Sequence, residues 1–125
     1  MKIALMKLLK KIIKDFENLK IAMHVRLSDL ITDYTGFTKK EIEYINHQWS
    51  HVDFVLFDKL TYKPVLCIEV DGTTYHDYSK RQINHDIIKE KVLKQNNHKF
   101  LRIKTNNSDE QQKIISMLKD NNVSY

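Results

Sequence analysis

Two acidic residues stand inside apolar segments of this chain, Asp53 in VDFVLF and Glu69 in VLCIEV. Nearly continuous apolar runs of this length are typical of strands that are buried on both faces of a sheet. An ionised carboxylate in such a strand is costly unless a partner compensates its charge. The two acids therefore predict a site with specific chemistry.

The spacing of the two segments predicts a hairpin in which these carboxylates face each other. If the chain reverses about Thr61, Asp53 pairs with Glu69, and directly opposite Cβ atoms lie roughly 4.5–5.5 Å apart. Like charges at that distance need a cation, and Mg²⁺ (or Mn²⁺) prefers oxygen ligands. The alternative is structural: Asp53 solvated on an edge strand, and Glu69 paired with a lysine of the next helix. The same register pairs Val55 with Cys67 and Phe57 with Val65.

Hydrophobic periodicity predicts the elements that precede the hairpin. Residues 20–27 alternate as a short strand. In residues 28–36, Ser28 or Asp29 is placed to cap a single helical turn. Thr38 followed by Glu41 fits a capping box that opens a short helix. An amphipathic helix begins the chain, with an apolar stripe of Leu5, Leu8, Leu9, Ile12, Ile13 and Phe16.

A loop, two helices and a further strand are predicted after the hairpin. Residues 71–79 read as the loop, residues 80–95 as a helix, KFLRIK as the strand and residues 109–120 as the last helix. Residues 1–125 are thus expected to form one α/β domain, with a central mixed sheet that contains an antiparallel hairpin and is flanked by helices. The buried side of the helix after the loop is predicted to carry Ile83, Ile87, Ile88 and Val92.

The net charge of +5 is unevenly distributed along the chain. Residues 1–20 carry six basic and two acidic side chains, residues 21–79 five and nine, and residues 80–104 eight and two. Acids between basic flanks suit a metal-dependent enzyme on a polyanion, although lysine-rich helices can also simply be solvated. The single cysteine and the absence of a long apolar run predict a cytoplasmic protein without a membrane span.

HVDFVLFD and KPVLCIEVDGTTYH together resemble the core of the PD-(D/E)XK phosphodiesterases. The fuller pattern DFVL, IEVDG, H, D..K and LRI is similar to that of an uncharacterised bacterial nuclease-like family. This resemblance implies a restriction-endonuclease-like core, with Asp53 and Glu69 as ligands of a Mg²⁺ or Mn²⁺ ion. Asp71 occupies the position of the usual lysine of that signature.

The resemblance also implies roles for residues that follow the hairpin. Lys89 and Asp86 match the D..K pair, so Lys89 would assist catalysis and Asp86 would support it. His76 would act as a general base or support the leaving group. Asp71 departs from the family pattern, and as a third carboxylate in the catalytic site it would bind a second metal ion. Arg102 matches the LRI arginine, which would contact phosphate or neutralise the acidic cluster. The basic side chains Lys91 and Lys94 would bind the nucleic acid backbone.

Three functions are compatible with these residues. The first is a Mg²⁺-dependent endonuclease acting on nucleic acid, with DNA as the expected partner. The second is a catalytically degenerate nucleic-acid-binding module, and the third is a structural or partner-binding domain. A homodimer is compatible with each of them. The other histidines of the chain, at positions 24, 47, 51, 85 and 98, show no ligand spacing that predicts a metal site.

Overall fold

The computed structural model describes residues 2–71, 80–104 and 110–120, and the side chains of residues 4–70, 84–103 and 110–120. Five helices and four strands lie within these ranges, so the mixed α/β class is confirmed. No described helix is long and apolar enough to cross a membrane. The elements, in chain order, are α1 Lys2–Ile13, β1 Leu19–Arg26, α2 Leu27–Leu30, α3 Lys39–Asn46, β2 His51–Asp58, β3 Pro64–Asp71, α4 Lys80–Gln95, β4 Phe100–Lys104 and α5 Glu110–Asp120.

The four strands form one mixed sheet in the order β1-β2-β3-β4. β1 and β3 both run antiparallel to β2, whereas β4 runs parallel to β3. A parallel neighbour needs a crossover connection, which α4 supplies. α1 and α5 cover one face around Phe54, Leu56 and Ile68. Residues of α2, α3 and α4 cover the other face around Val55 and Cys67.

The β2–β3 hairpin has the predicted register near the acidic residues. Val55 pairs with Cys67 as expected, and Phe54 pairs with Ile68. The predicted pairing of Phe57 with Val65 is wrong, because the register shifts after Leu56 and Phe57 lies opposite Pro64. Proline has no N–H to donate and is tolerated at the first position of a strand, which is where Pro64 lies.

The segment between β1 and β2 confirms one predicted cap and corrects another. The side chain of Thr38 accepts from the Glu41 backbone N–H, and the Glu41 side chain accepts from the Thr38 N–H, which completes the capping box. Ser28 and Asp29 are not caps. Because α2 follows β1 without a loop, its N-cap is Arg26, the last strand residue, and both residues lie inside the turn.

Helix α4 buries a different stripe from the one predicted. Val92 is fully buried and Ile88 partly buried as expected, but Ile87 is 61% exposed. Since Ile87 lies about 140° around the helix from Val92, the two cannot share one buried face. Lys89 lies on the inner face in its place. The side chain of Ile83 is outside the described part of the chain.

The C-terminus of α4 is closed by a Schellman motif that positions β4. The N–H of His98 donates to the carbonyl of Leu93, and the N–H of Asn97 donates to that of Lys94. Asn97 has φ 63, the left-handed conformation that asparagine tolerates better than most residues. The motif ends the helix, and β4 begins three residues later at Phe100.

Candidate functional site

Four polar residues form a row across the sheet, one from each strand, on the face that α3 and α4 cover. Glu69 is the register partner of Arg102 in β4. The β2–β3 register continued by one residue places Asp53 opposite Glu69, and the β1–β2 pairs on either side place His24 opposite Asp53. Because side chains alternate along a strand, Asp53, Glu69 and Arg102 share a face. His24 interrupts β1 with φ 51, and its ring contact with His51 places it beside Asp53. The row lies two residues along β2 and β3 from the apolar layer that contains Val55 and Cys67.

Asp53 and Glu69 are both buried, at 5% and 8% exposure. The Val70 backbone N–H donates to Asp53 Oδ2 at 3.0 Å, which fixes the Asp53 carboxylate above β3. Burial raises the pKa of Glu69 to about 7; Lys89 opposes this rise, and the charge of Asp53 and a hydrogen bond with it add to it. Glu69 therefore retains its proton up to about neutral pH, as expected for an acid that is buried beside a second carboxyl group.

Lys89 reaches this pair from α4. Its Nζ donates to Glu69 Oε1 at 2.8 Å, and its side chain is only 12% exposed. Burial disfavours the ammonium, but Glu69, Tyr44 and Asp53 outweigh that effect and raise the pKa of Lys89. The structural alternative, in which Glu69 pairs with a lysine of the following helix, is thus present in this structure. The other part of that alternative is absent, because β2 lies between two strands and Asp53 is buried.

Asp86 and Arg102 form a second charged contact beside the first. Arg102 Nη1 lies 3.8 Å from Asp86 Oδ2, and its guanidinium lies over the Phe100 ring at 5.4 Å. Asp86 is therefore engaged with β4, whereas Lys89, three residues later on the same helix, is engaged with Glu69. Arg102 is the register neighbour of Glu69 in the row, and its two predicted roles, contact with phosphate or neutralisation of the acidic cluster, remain predictions.

The two lysines predicted to bind nucleic acid make ion pairs on the outer part of α4. Lys91 donates to Glu41 Oε2 at 2.7 Å, so the capping box of α3 is also linked to α4. Lys94 donates to Glu90 at 3.2 Å, and its side chain is 62% exposed. Both ammonium groups lie partly in solvent. An exposed pair such as Lys94–Glu90 contributes little to stability, whereas Glu41 is buried and its pair with Lys91 is only partly exposed.

Two residues implied by the resemblance lie partly or wholly outside the described region. The backbone of Asp71 ends β3 and pairs with Lys104 in β4, but its side chain is outside the described residues. His76 lies in the segment 72–79, which is also outside them. Their catalytic roles remain predictions.

Three residues of the site were not predicted from the sequence. Tyr44 of α3 lies close enough to interact electrostatically with Lys89 and Glu69; burial raises the pKa of its phenol. His51 Nε2 lies 3.7 Å from Asp53 Oδ1. The rings of His51 and His24 are 5.1 Å apart between centroids. The period of two along β2 placed His51 on the same face as Asp53, whereas His24 and Tyr44 required the tertiary fold.

The chemistry of the acidic pair fits a divalent metal ion. Asp53 and Glu69 offer carboxylate oxygens, the ligand type that Mg²⁺ and Mn²⁺ prefer. Burial and Asp53 favour the protonated form of Glu69. A divalent ion would replace this proton and supply the positive charge in its place. Lys89 already occupies Glu69 Oε1, so the ion would share this carboxylate with an ammonium or displace it.

Comparison with known proteins places the chain in one family. Over residues 3–121 it matches the family model described as "Protein of unknown function (DUF2726)". No curated protein and no solved structure matches the chain. The match covers nearly the whole sequence, including every residue of the polar row, and the chain therefore belongs to the DUF2726 family.

Proposed function

We propose that this chain is a Mg²⁺-dependent phosphodiesterase that cleaves DNA through a restriction-endonuclease-like core. The observation that carries the proposal is the convergence of Asp53, Glu69 and Lys89 from three elements on one buried cluster. Two carboxylates and an ammonium are expensive to bury, and replacing such groups by apolar residues is often neutral or stabilising. A cluster of this kind in an apolar sheet is therefore a candidate for chemistry.

Asp53 and Glu69 would hold the ion, and each remaining group has a task consistent with its position. A bound Mg²⁺ would polarise the scissile phosphate and lower the pKa of the attacking water. Lys89 orients Glu69 now and would donate to a phosphate oxygen of the bound substrate. Arg102, held by Asp86, balances the negative charge of the row. The exposed ammonium of Lys94 would follow the phosphate backbone.

One observation favours the alternative of a binding or structural domain that does not cleave. Lys89 Nζ lies 2.8 Å from Glu69 Oε1, so the two side chains already pair with each other. If this pair is only structural, the Glu69 carboxylate is not a metal ligand. The usual lysine of the signature is also missing, because Asp71 occupies its position. The alternative therefore predicts tight packing around Lys89 and no metal-dependent activity.

Cleavage of supercoiled plasmid, single-stranded DNA and RNA in Mg²⁺ and in Mn²⁺ separates the two functions. We expect metal-dependent cleavage by the wild type and background levels for Glu69→Ala. Lys89→Ala should lower the rate with little loss of DNA affinity, whereas Lys59→Ala is the matched control, because Lys59 lies in the hairpin turn at the other end of β2. Equal background from the wild type and Glu69→Ala on all substrates would establish the non-catalytic alternative.

A further inference from the structure

We propose that His24, His51 and Asp53 form a second metal site, selective for a transition-metal ion such as Zn²⁺, at the outer side of the acidic pair. The ligand atoms of the three side chains all lie within 4.8 Å of one another. Two nitrogens and one oxygen suit Zn²⁺ and similar ions, whereas Mg²⁺ prefers oxygen alone. This site shares Asp53 with the proposed Mg²⁺ site but does not depend on the nuclease activity.

The tautomer of His51 is the strongest argument for this site. His51 Nδ1 lies 2.9 Å from the Trp49 carbonyl oxygen, which can only accept a hydrogen bond, so Nδ1 carries the hydrogen. In the neutral ring, Nε2 then presents a lone pair, and it faces Asp53 Oδ1 at 3.7 Å. Two acceptors directed at each other are compensated by a cation between them, which is either a proton on the imidazole or a metal ion. A ring whose other nitrogen donates to a backbone carbonyl is the usual arrangement of a metal-binding histidine.

The distances suit an ion with little rearrangement. Ligand atoms bound at about 2.0–2.2 Å from one Zn²⁺ ion lie roughly 3–4 Å apart. The His51–Asp53 pair is already in that range at 3.7 Å. His24 is exposed and its ligand atom lies within 4.8 Å of the other two, so a rotation of its side chain would close the remaining distance. Three protein ligands leave at least one coordination position for water or a substrate oxygen.

The backbone of His24 brings the third ligand to this place. His24 has φ 51, a left-handed conformation that is unfavourable for a residue within a strand. It lies between the ladder pairs Met23–Phe54 and Val25–Val52, where the regular pairing is interrupted. The interruption turns His24 at the point opposite Asp53, and its ring packs edge-on against that of His51.

Calorimetric titration of the metal-free chain with ZnCl₂ tests the site. We expect one bound Zn²⁺, and His24→Asn and His51→Asn should each weaken it by at least about 10- to 100-fold, the loss typical even for groups that only orient a ligand. His47→Asn is the matched control, since His47 is exposed and lies four residues from His51. Zn²⁺ should also raise the melting temperature of the wild type and of His47→Asn, but not of the two ligand variants.

A parallel titration with MgCl₂ separates this inference from the proposed function. Glu69→Gln should weaken Mg²⁺ binding and retain Zn²⁺, His51→Asn should do the reverse, and Asp53→Asn should weaken both. Unchanged Zn²⁺ affinity in both histidine variants would overturn the inference, as would the absence of Zn²⁺ binding by the wild type. Either result leaves the Mg²⁺ titration and the cleavage assay to decide the proposed function.

Discussion

At the scale of single residues, the site is governed by the competition between Lys89 and Asp53 for Glu69. Lys89 stabilises the carboxylate, whereas burial and Asp53 stabilise the protonated acid, and the second effect is the larger. Metal binding would therefore release the proton of Glu69. Lys89 would then be able to donate to another group, such as a phosphate oxygen of the substrate. This balance gives two predictions for the metal-free protein.

The first prediction concerns the pH dependence of stability. The folded pKa of Glu69 is about 7, against an ordinary value of 4.5. Its contribution to the free energy of unfolding is thus fully present below about pH 4.5 and is lost as the pH rises through 7, a change on the order of 3 kcal/mol. Urea unfolding in a chelator at several pH values should show this loss for the wild type. Glu69→Gln should remove it, and an equal slope in both proteins would contradict the assignment.

The second prediction concerns Lys89→Met, which keeps the length of the side chain but removes its charge. At about pH 8 the variant leaves the Glu69 carboxylate without its ammonium partner, so this acid must stay charged or take up a proton, and the variant should lose up to about 3–5 kcal/mol of stability. At about pH 5 Glu69 is protonated, so the loss should be smaller. Lys94→Met, an exposed position on the same helix, should stay within about 0.5 kcal/mol at both pH values. A pH-independent loss for Lys89→Met would mean that packing, not charge, holds this side chain.

At the scale of elements, the register of the β2–β3 hairpin near the acidic residues could be predicted, but the register shift after Leu56 and the rotation of α4 could not. Side chains alternate along each strand with a period of two, and the connection between β2 and β3 is short. Together these two features fix which residues of the hairpin lie opposite each other. Helix α4 instead has apolar residues on several sides, and its orientation depends on where Lys89 finds a partner. The pairing of β1 with β2 was also inaccessible, because α2, α3 and a loop separate the strands and leave the position of His24 undetermined.

The third prediction concerns the capping box of α3. Glu41 accepts from the Thr38 N–H through Oε1 and from Lys91 through Oε2, so the start of α3 is tied to α4. Thr38→Ala removes the acceptor for the Glu41 N–H and should cost about 1 kcal/mol in thermal or urea unfolding. Thr38→Ser keeps the hydroxyl and should be close to wild type. Equal stability of the alanine and serine variants would show that the cap contributes nothing.

At the scale of the whole molecule, the charge of the chain separates by region. The acidic pair lies at the end of the sheet where β2 begins, and α4 carries Lys91 and Lys94 on its outer side. Such an arrangement attracts a polyanion to the helix and brings a phosphate to the carboxylates. The hairpin turn with Lys59 lies at the opposite end of β2, so Lys59 serves as a control position for tests of DNA binding.

The fourth prediction follows from this separation. Lys94→Ala should weaken DNA binding uniformly across sequences and reduce the slope of log affinity against log salt by about one. Lys59→Ala should leave both the affinity and the slope unchanged. Fluorescence anisotropy with a labelled duplex at several salt concentrations measures both quantities. Identical slopes for the wild type and Lys94→Ala would remove α4 from the DNA-binding surface.

The central claim is that Asp53 and Glu69 together hold a divalent metal ion, and titration of the metal-free chain with Mg²⁺ in a calorimeter tests it most directly. Asp15→Asn is the control, because Asp15 is exposed beyond the end of α1 and its loss changes the net charge equally. We predict saturable binding by the wild type and by Asp15→Asn, and at least tenfold weaker binding, about 1.4 kcal/mol, by Asp53→Asn and by Glu69→Gln. Equal heats of binding for all four proteins, or none for the wild type, would contradict the account.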